Sequence, residues 1–157
     1  MGSCHLNSPS NTEETNYLEI ERKLIKVGIP EPNGNLTRRG IMVTRTTKGD
    51  TNYSDDGKKW NQLKVGMRLR EGAYVRTNWD SQITFFLGVN GPVLRVKENS
   101  KIQIVSLRFD KINKEIITDK IIVVHKGTVK GSFKNRNQNS RSLICSQNGQ
   151  PISTGSR

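Results

Sequence analysis

The chain has 157 residues and a mass of 17.7 kDa, with 26 Lys and Arg against 14 Asp and Glu, so its formal net charge is +12 and its pI is about 10.1. Hydrophobic residues make up 32% of the sequence, below the ~45–50% of ordinary globular chains, which predicts a thin core. No apolar run approaches the ~18 residues that a membrane-spanning helix needs. We therefore expect no transmembrane segment in this chain.

The charge is divided unevenly along the sequence. Residues 1–35 carry three Lys and Arg and five Asp and Glu, net −2, whereas residues 36–157 carry 23 and nine, net +14. A positive potential of this kind attracts polyanions and anionic surfaces. Basic side chains spread through strands equally suit the solvation of a domain with a small core, so both interpretations stay open.

The N-terminal part divides into two segments. Residues 1–16 are polar and lack hydrophobic periodicity, which predicts a disordered tether. Ser10 and Glu13 have the spacing of a capping box, and they precede a short apolar stripe at helical spacing. That stripe consists of Tyr17, Ile20 and Leu24. Residues 17–35 are thus predicted to form a short helix or strand followed by a linker.

From residue 36 onward the signals are those of β-strands. Apolar residues alternate over 83–89, with Phe86 as the exception, and Asn90 followed by Gly91 predicts a hairpin turn. An inserted residue at Val105 predicts a β-bulge. Residues 116–124 read as a long strand that is interrupted at Asp119 and Lys120.

Short strands separated by turn residues at intervals of about 8–12 residues are typical of an all-β domain. The sequence therefore predicts an antiparallel β-sandwich or roll over residues 36–146, followed by an irregular tail at 147–157. Parallel pairing is not expected, because no helix of crossover length separates the strands.

The stretch from Trp60 to Ser81 is the most informative part of the sequence. Its predicted core residues are Trp60, Leu63, Leu69 and Val75. Gly66 and Gly72 predict turns that depend on glycine. Thr77 with Asp80 and Ser81 predicts a polar corner whose side chains bond to the backbone of turns.

This pattern resembles the FecR-like domains of large bacterial extracytoplasmic and surface proteins. The resemblance is carried by Trp60, Leu63, Val65, Gly66, Leu69, Gly72, Val75, Arg76, Thr77 and Ser81, then by Leu87, Asn90, Gly91, Val93, Arg95, Val96 and Ser100. Farther along, residues 126–133, with Gly127 and Gly131, are similar to a glycine-containing segment of the same family. The resemblance covers about residues 40–141.

The resemblance implies a non-enzymatic domain that works by interaction. In some family members the partner is a transmembrane signalling protein, and in others it is the cell envelope. We accordingly expect a binding or signal-relay module in the bacterial periplasm or at the cell surface, with another protein or an envelope component as its partner. The cytoplasm is the alternative location.

The sequence departs from the family pattern at its end. Leu143, Ile144, Asn148 and Gly149 correspond to the family's last hydrophobic strand and turn, but residues 150–157 do not carry the closing element intact. A lost final strand would leave a sheet edge open to pairing with another chain.

Candidate catalytic and metal-binding residues are few. Cys4 and Cys145 match no metal-ligand spacing, and His5 and His125 are the only histidines. We therefore predict no catalytic residue, no metal and no cofactor. Cys4 is a candidate lipidation site, because Met1 to Cys4 resembles the end of a lipoprotein signal. The apolar region of such a signal is absent from the sequence as given.

The candidate basic binding face consists of Arg68, Arg70, Tyr74 and Arg76. These residues are separated by even numbers of positions, so they would point to the same side of a continuous strand. Basic residues interleaved with an aromatic are typical of nucleic-acid-binding sheets. The alternative function is thus a small basic β-barrel that binds RNA or single-stranded DNA. A solvated strand face covered by arginine stems remains the simpler interpretation.

Overall fold

The computed structural model describes residues 17–29, 31–32, 36–87, 93–131 and 139–152. The predicted tether at 1–16, Cys4, and the turn at Asn90 and Gly91 lie outside the described residues. The described helix, α1, spans Tyr17–Lys26. No helix in the described ranges is long and apolar enough to cross a membrane.

Twelve strands are described. They are β1 Arg38–Arg39, β2 Met42–Lys48, β3 Thr51–Ser54, β4 Asn61–Gln62, β5 Arg68–Leu69, β6 Tyr74–Thr77, β7 Gln82–Leu87, β8 Val93–Val96, β9 Lys101–Ile112, β10 Glu115–Lys126, β11 Val129–Gly131 and β12 Arg141–Ser146. The first sheet has the order β12-β10-β9-β6-β3-β4, with β1 paired to β9, and the second has the order β11-β8-β7-β2-β5. The predicted all-β class is confirmed.

The core lies between the two sheets and follows from strand alternation. Every second residue of a strand points to the same face, so Ile83, Phe85 and Leu87 of β7 are all buried. They pack with Val75 of β6 and Ile104 of β9 in one continuous apolar cluster. The low hydrophobic content is sufficient because each strand contributes only one face to this cluster.

The long hairpin of β9 and β10 contains the predicted bulge. Ile121 pairs with Ser106 and Ile122 pairs with Ile104, so Val105 is the extra residue. The predicted interruption at Asp119 and Lys120 is wrong, because β10 continues through both residues. A buried carboxylate is tolerated in the strand since Asp119 is neutralised by an arginine, as described below.

The expectation that no strands pair in parallel is also wrong. β12 pairs in parallel with β10, from Asp119 opposite Arg141 to Val124 opposite Ser146. The chain between them passes through β11, which belongs to the second sheet. A strand of the opposite sheet therefore takes the place of the crossover helix that the sequence reasoning required.

Helix α1 packs on the outer face of the first sheet. Ile20 and Leu24 are fully buried, as the helical stripe predicts. They contact Ile121 and Val123 of β10 in a second apolar cluster, which also includes Cys145 of β12. The bulge at Val105 contributes to the same cluster, since the extra residue turns its side chain to this face.

The described end of the chain turns back along β12. The amide of Ser146 donates to the carbonyl of Gln150 at 2.9 Å, and the amide of Ile152 donates to the carbonyl of Ile144 at 2.9 Å. Cys145 and Pro151 form an isolated antiparallel bridge. This part of the β12 edge is paired within the chain itself.

Cys145 provides a probe of this packing. Its side chain is fully buried, and burial raises the pKa of the thiol to about 12. Because the thiolate is the reactive form, we expect a Cys4→Ser variant to remain unlabelled by a thiol reagent at pH 8 until it is unfolded. Stoichiometric labelling of the native variant, followed by mass spectrometry, would contradict the buried position.

A basic surface on the second sheet

The outer faces of the two sheets differ in what covers them. Helix α1 covers one part of the first sheet, and the turn after β3 brings Gly57 against the ring of Tyr74 on another part. This turn is held by Asp56, whose carboxylate accepts from the amides of Lys58 and Lys59, which lower its pKa to about 2. On the outer face of the second sheet, the basic side chains of the strands are exposed, whereas Thr84 of β7 is buried.

All ionisable residues in the strands of the second sheet are cations. They are Arg45 and Lys48 in β2, Arg68 in β5, Arg95 in β8 and Lys130 in β11, and all five are exposed. Their strand neighbours, such as Leu69, Leu94 and Val129, are buried in the core. Alternation therefore directs the charges outward, and we call this surface the basic sheet face.

Strand register arranges the basic sheet face in rows. Arg68 lies opposite Val43, Val43 opposite Phe86, and Phe86 opposite Val93. The next row contains Thr84 opposite Arg95, and Arg95 opposite Lys130. Phe86 is thus flanked on both sides by valine, with Arg68 beyond Val43 and with Arg95 and Lys130 in the next row.

The charges of this face are largely uncompensated. Lys48 pairs with Asp80 at 3.2 Å, whereas Arg68, Arg95 and Lys130 take part in no ion pair among the described residues. The connecting segments 88–92 and 132–138 contain no Asp or Glu, whereas Asp80 lies just before β7 and Glu98 just after β8. The potential over this face is therefore positive.

The four residues of the predicted basic face do not form one surface. Arg68 lies in β5 of the second sheet, whereas Tyr74 and Arg76 lie in β6 of the first. Tyr74 is only 4% exposed, and its ring lies 6.2 Å from that of His125. The even spacing of these residues does not place them on one face, because the chain passes from the second sheet to the first between Arg70 and Ala73. Side chains before and after this segment therefore belong to different surfaces.

Arg68 and Arg70 instead line a surface groove of about 330 Å³. The other residues that line it include the apolar Met67, Leu69 and Ala73 and the acidic Asp55 and Glu71. Glu71 is bound by Arg108 at 2.7 Å. The groove has both signs of charge, so it does not select an anion in the way that the basic sheet face does.

Trp60 was predicted as a core residue, and this prediction is wrong. The indole is half-buried on the outer side of the first sheet, where Arg76 stacks on it at 4.1 Å and Lys101 lies 5.9 Å from its ring. Arg76 lies between Asn52 and Lys101 in strand register. Its Nε is buried with no hydrogen-bond partner among the described atoms.

Most of the other positions of the family resemblance have a structural role, either in turns or in the core. Gly66, Gly72 and Gly127 have φ values of +91°, +95° and +87°, the left-handed region that favours glycine. Gly131 ends β11, and Leu69 is buried in the core. Arg95 is different from these positions, because its side chain belongs to the basic sheet face.

Two of the three residues of the predicted polar corner, Thr77 and Ser81, bond to the backbone of turns, whereas the carboxylate of Asp80 pairs with Lys48 at 3.2 Å. The hydroxyl of Thr77 donates to the carbonyl of Lys97 at 2.5 Å and accepts from the amide of Ser100 at 3.0 Å. The hydroxyl of Ser81 accepts from the amide of Asp50 at 2.8 Å. Both side chains are buried and fix the turns between strands.

A buried charge cluster joins α1 to the sheet, and no motif in the sequence predicts it. Arg141 donates to Asp119 through Nε at 2.7 Å and through Nη2 at 2.9 Å. It also donates to Glu21 of α1 at 2.9 Å and 3.2 Å. Ser106 donates to Asp119 at 2.9 Å. Asp119 and Glu21 are 22 and 120 residues from Arg141 in the sequence, so no local spacing predicts these contacts.

The electrostatics of this cluster favour the ionised arginine. Burial alone lowers the pKa of Arg141, but hydrogen bonds to Asp119 and Glu21 outweigh it and raise that pKa above its usual value. The pKa of Tyr17 is raised by burial and by its hydrogen bond to Glu31. The cluster has a structural role: it holds α1 against the sheet, and its charged groups neutralise one another.

The described residues hold no group of three or more His, Cys, Asp or Glu placed to bind a metal ion. His125 bonds to Gln103 at 3.0 Å and to Gln147, so both of its ring nitrogens are engaged by amides. Comparisons with protein families, curated proteins and solved structures find no match to this chain.

Proposed function

We propose that this chain is a non-enzymatic binding module on the envelope side of a bacterial membrane, as the FecR-like resemblance implies. The observation that supports the proposal is the basic sheet face, whose five cations are exposed. Its partner is an envelope component that carries negative charge, because long-range attraction and local contacts then act in the same direction.

The arrangement suits binding more than chemistry. Arg95 and Lys130 are exposed and lie opposite each other in register. Guanidinium and ammonium groups are good partners for phosphates and carboxylates. A rigid sheet holds these groups at fixed spacing, which lowers the entropy lost on binding.

The proposal is tested by reversing charges on the face. An Arg95→Glu/Lys130→Glu variant is expected to lose at least about tenfold in co-sedimentation with a bacterial envelope fraction, and the wild-type binding is expected to weaken as salt rises. The matched control is Lys58→Glu/Lys59→Glu, which changes the charge equally on the exposed turn after β3. Circular dichroism checks that each variant is folded.

Equal loss in both double variants would contradict a specific role for the basic sheet face. Location is tested separately by fractionating cells that express the complete gene product. Recovery in the cytosolic fraction alone would contradict the envelope side and leave the binding measurement intact.

A second candidate function is the binding of RNA or single-stranded DNA on the first sheet. The stacking of Arg76 and the proximity of Lys101 to Trp60 favour it, since aromatic rings with nearby cations bind unpaired bases. Titration of a labelled oligonucleotide at several salt concentrations tests this candidate. Steep salt dependence that is lost in Trp60→Ala and retained in Arg95→Ala would support it, and undetectable binding would remove it.

A further inference from the structure

We infer that the basic sheet face docks flat on an anionic lipid surface and binds the phosphates of the lipid headgroups. This inference rests on the proposed function and names the envelope component. Three observations carry it: the two-dimensional spread of the cations, the apolar row between them, and the covered ring at its centre.

The cations extend from one edge strand of the sheet to the other. Arg68 lies on the edge strand β5, Arg95 lies on β8 next to the centre, and Lys130 lies on the opposite edge strand β11. Neighbouring strands are ~4.8 Å apart, so the charges extend roughly 19 Å across five strands. A lipid surface presents phosphates in two dimensions, whereas a single nucleic-acid strand presents them along one line. The array therefore matches a surface better than a strand.

The row of Val43, Phe86 and Val93 lies within this array. All three side chains are half-buried, so part of each apolar surface faces outward. At a membrane interface, basic residues meet the headgroups while apolar side chains reach the boundary of the acyl chains. An apolar row next to cations is suited to that boundary.

The central aromatic ring is already occupied. The guanidinium of Arg45 lies over the ring of Phe86 at 4.7 Å. Bases and sugars bind to proteins by stacking on aromatic rings that are open to the ligand. Because Arg45 already lies over Phe86, binding of phosphates to this guanidinium and shallow apolar contact require no rearrangement of the ring.

The test measures partition of the complete chain onto lipid vesicles. Vesicles of phosphatidylcholine with about one-third phosphatidylglycerol are expected to bind the protein, and vesicles of phosphatidylcholine alone are not. Each basic residue near an anionic surface contributes about fivefold in affinity. An Arg95→Gln/Lys130→Gln variant is therefore expected to lose about 25-fold, whereas Lys58→Gln/Lys59→Gln is expected to lose less than about twofold.

Arg68→Gln provides an independent check on the opposite edge of the face, with an expected loss of about fivefold. Equal binding to both kinds of vesicle, or equal loss in the face and control variants, would overturn the inference. Envelope binding that depends on Arg95 and Lys130 without any vesicle binding would also overturn it and would leave the proposed function standing. Tighter binding of an oligonucleotide by the same residues would overturn it in favour of nucleic acid.

Discussion

Replacing Arg141 with Met is expected to lower the free energy of unfolding by about 3–5 kcal/mol. The guanidinium is only 4% exposed and neutralises both Asp119 and Glu21. Removing it leaves two carboxylates buried without a counter-charge, and the cost of burying an unpaired charge exceeds the value of the ion pair itself. Chemical denaturation followed by circular dichroism measures the change.

The matched control is Lys48→Met, which also removes one cation from an ion pair. Lys48 and Asp80 are 68% and 61% exposed, so water replaces the lost partner and the expected change is below about 1 kcal/mol. Combining Arg141→Met with Asp119→Leu and Glu21→Leu should recover most of the lost stability, because no charge then remains buried. Equal effects of Arg141→Met and Lys48→Met would contradict the buried cluster.

Replacing Gly127 with Ala is expected to destabilise the fold by more than about 3 kcal/mol. A Cβ at this position would lie 2.5 Å from the Cα of Ser100 and 2.7 Å from the carbonyl oxygen of Asn99. Its φ of +87° adds the strain of a left-handed residue. The amide of Thr128 bonds to the hydroxyl of Ser100 at 2.9 Å, so the two turns have little freedom to separate.

Gly66→Ala separates the two causes of this effect. Gly66 has a similar φ of +91°, but nothing lies within 4 Å of an added Cβ. Only the backbone strain applies there, and the expected cost is about 1–2 kcal/mol. Thermal unfolding of both variants measures the difference. A Gly127→Ala protein as stable as Gly66→Ala would show that the turns at Ser100 and Gly127 are not in close contact.

Sequence reasoning was most successful where a signal was local. The alternation of Ile83, Phe85 and Leu87 predicted a strand with one buried face, and the shift at Val105 predicted a bulge. The stripe of Ile20 and Leu24 predicted the buried side of α1. In each of these cases the period of the backbone conformation determines which side chains share a face.

It failed where the outcome depended on distant parts of the chain. Asp119 looked like an interruption of a strand, since its neutralising partner Arg141 lies 22 residues later. Trp60 looked like core because it is large and apolar, but Arg76 provides a packing partner on the outer side of the sheet. Arg68 and Arg76 were predicted to share a face because they are an even number of residues apart. That rule holds only within one strand, and the chain passes from the second sheet to the first between them.

The sequence by itself determined the all-β class, the excess of positive charge, and the turns that require glycine, because composition and local backbone preference act within a few residues. Only the tertiary structure decided which cations lie together. β2, β5, β8 and β11 come from four separate parts of the chain, and pairing with β7 and with one another brings Arg45, Arg68, Arg95 and Lys130 to a single face. The +12 charge is a property of composition, whereas the basic sheet face is a property of strand order and register.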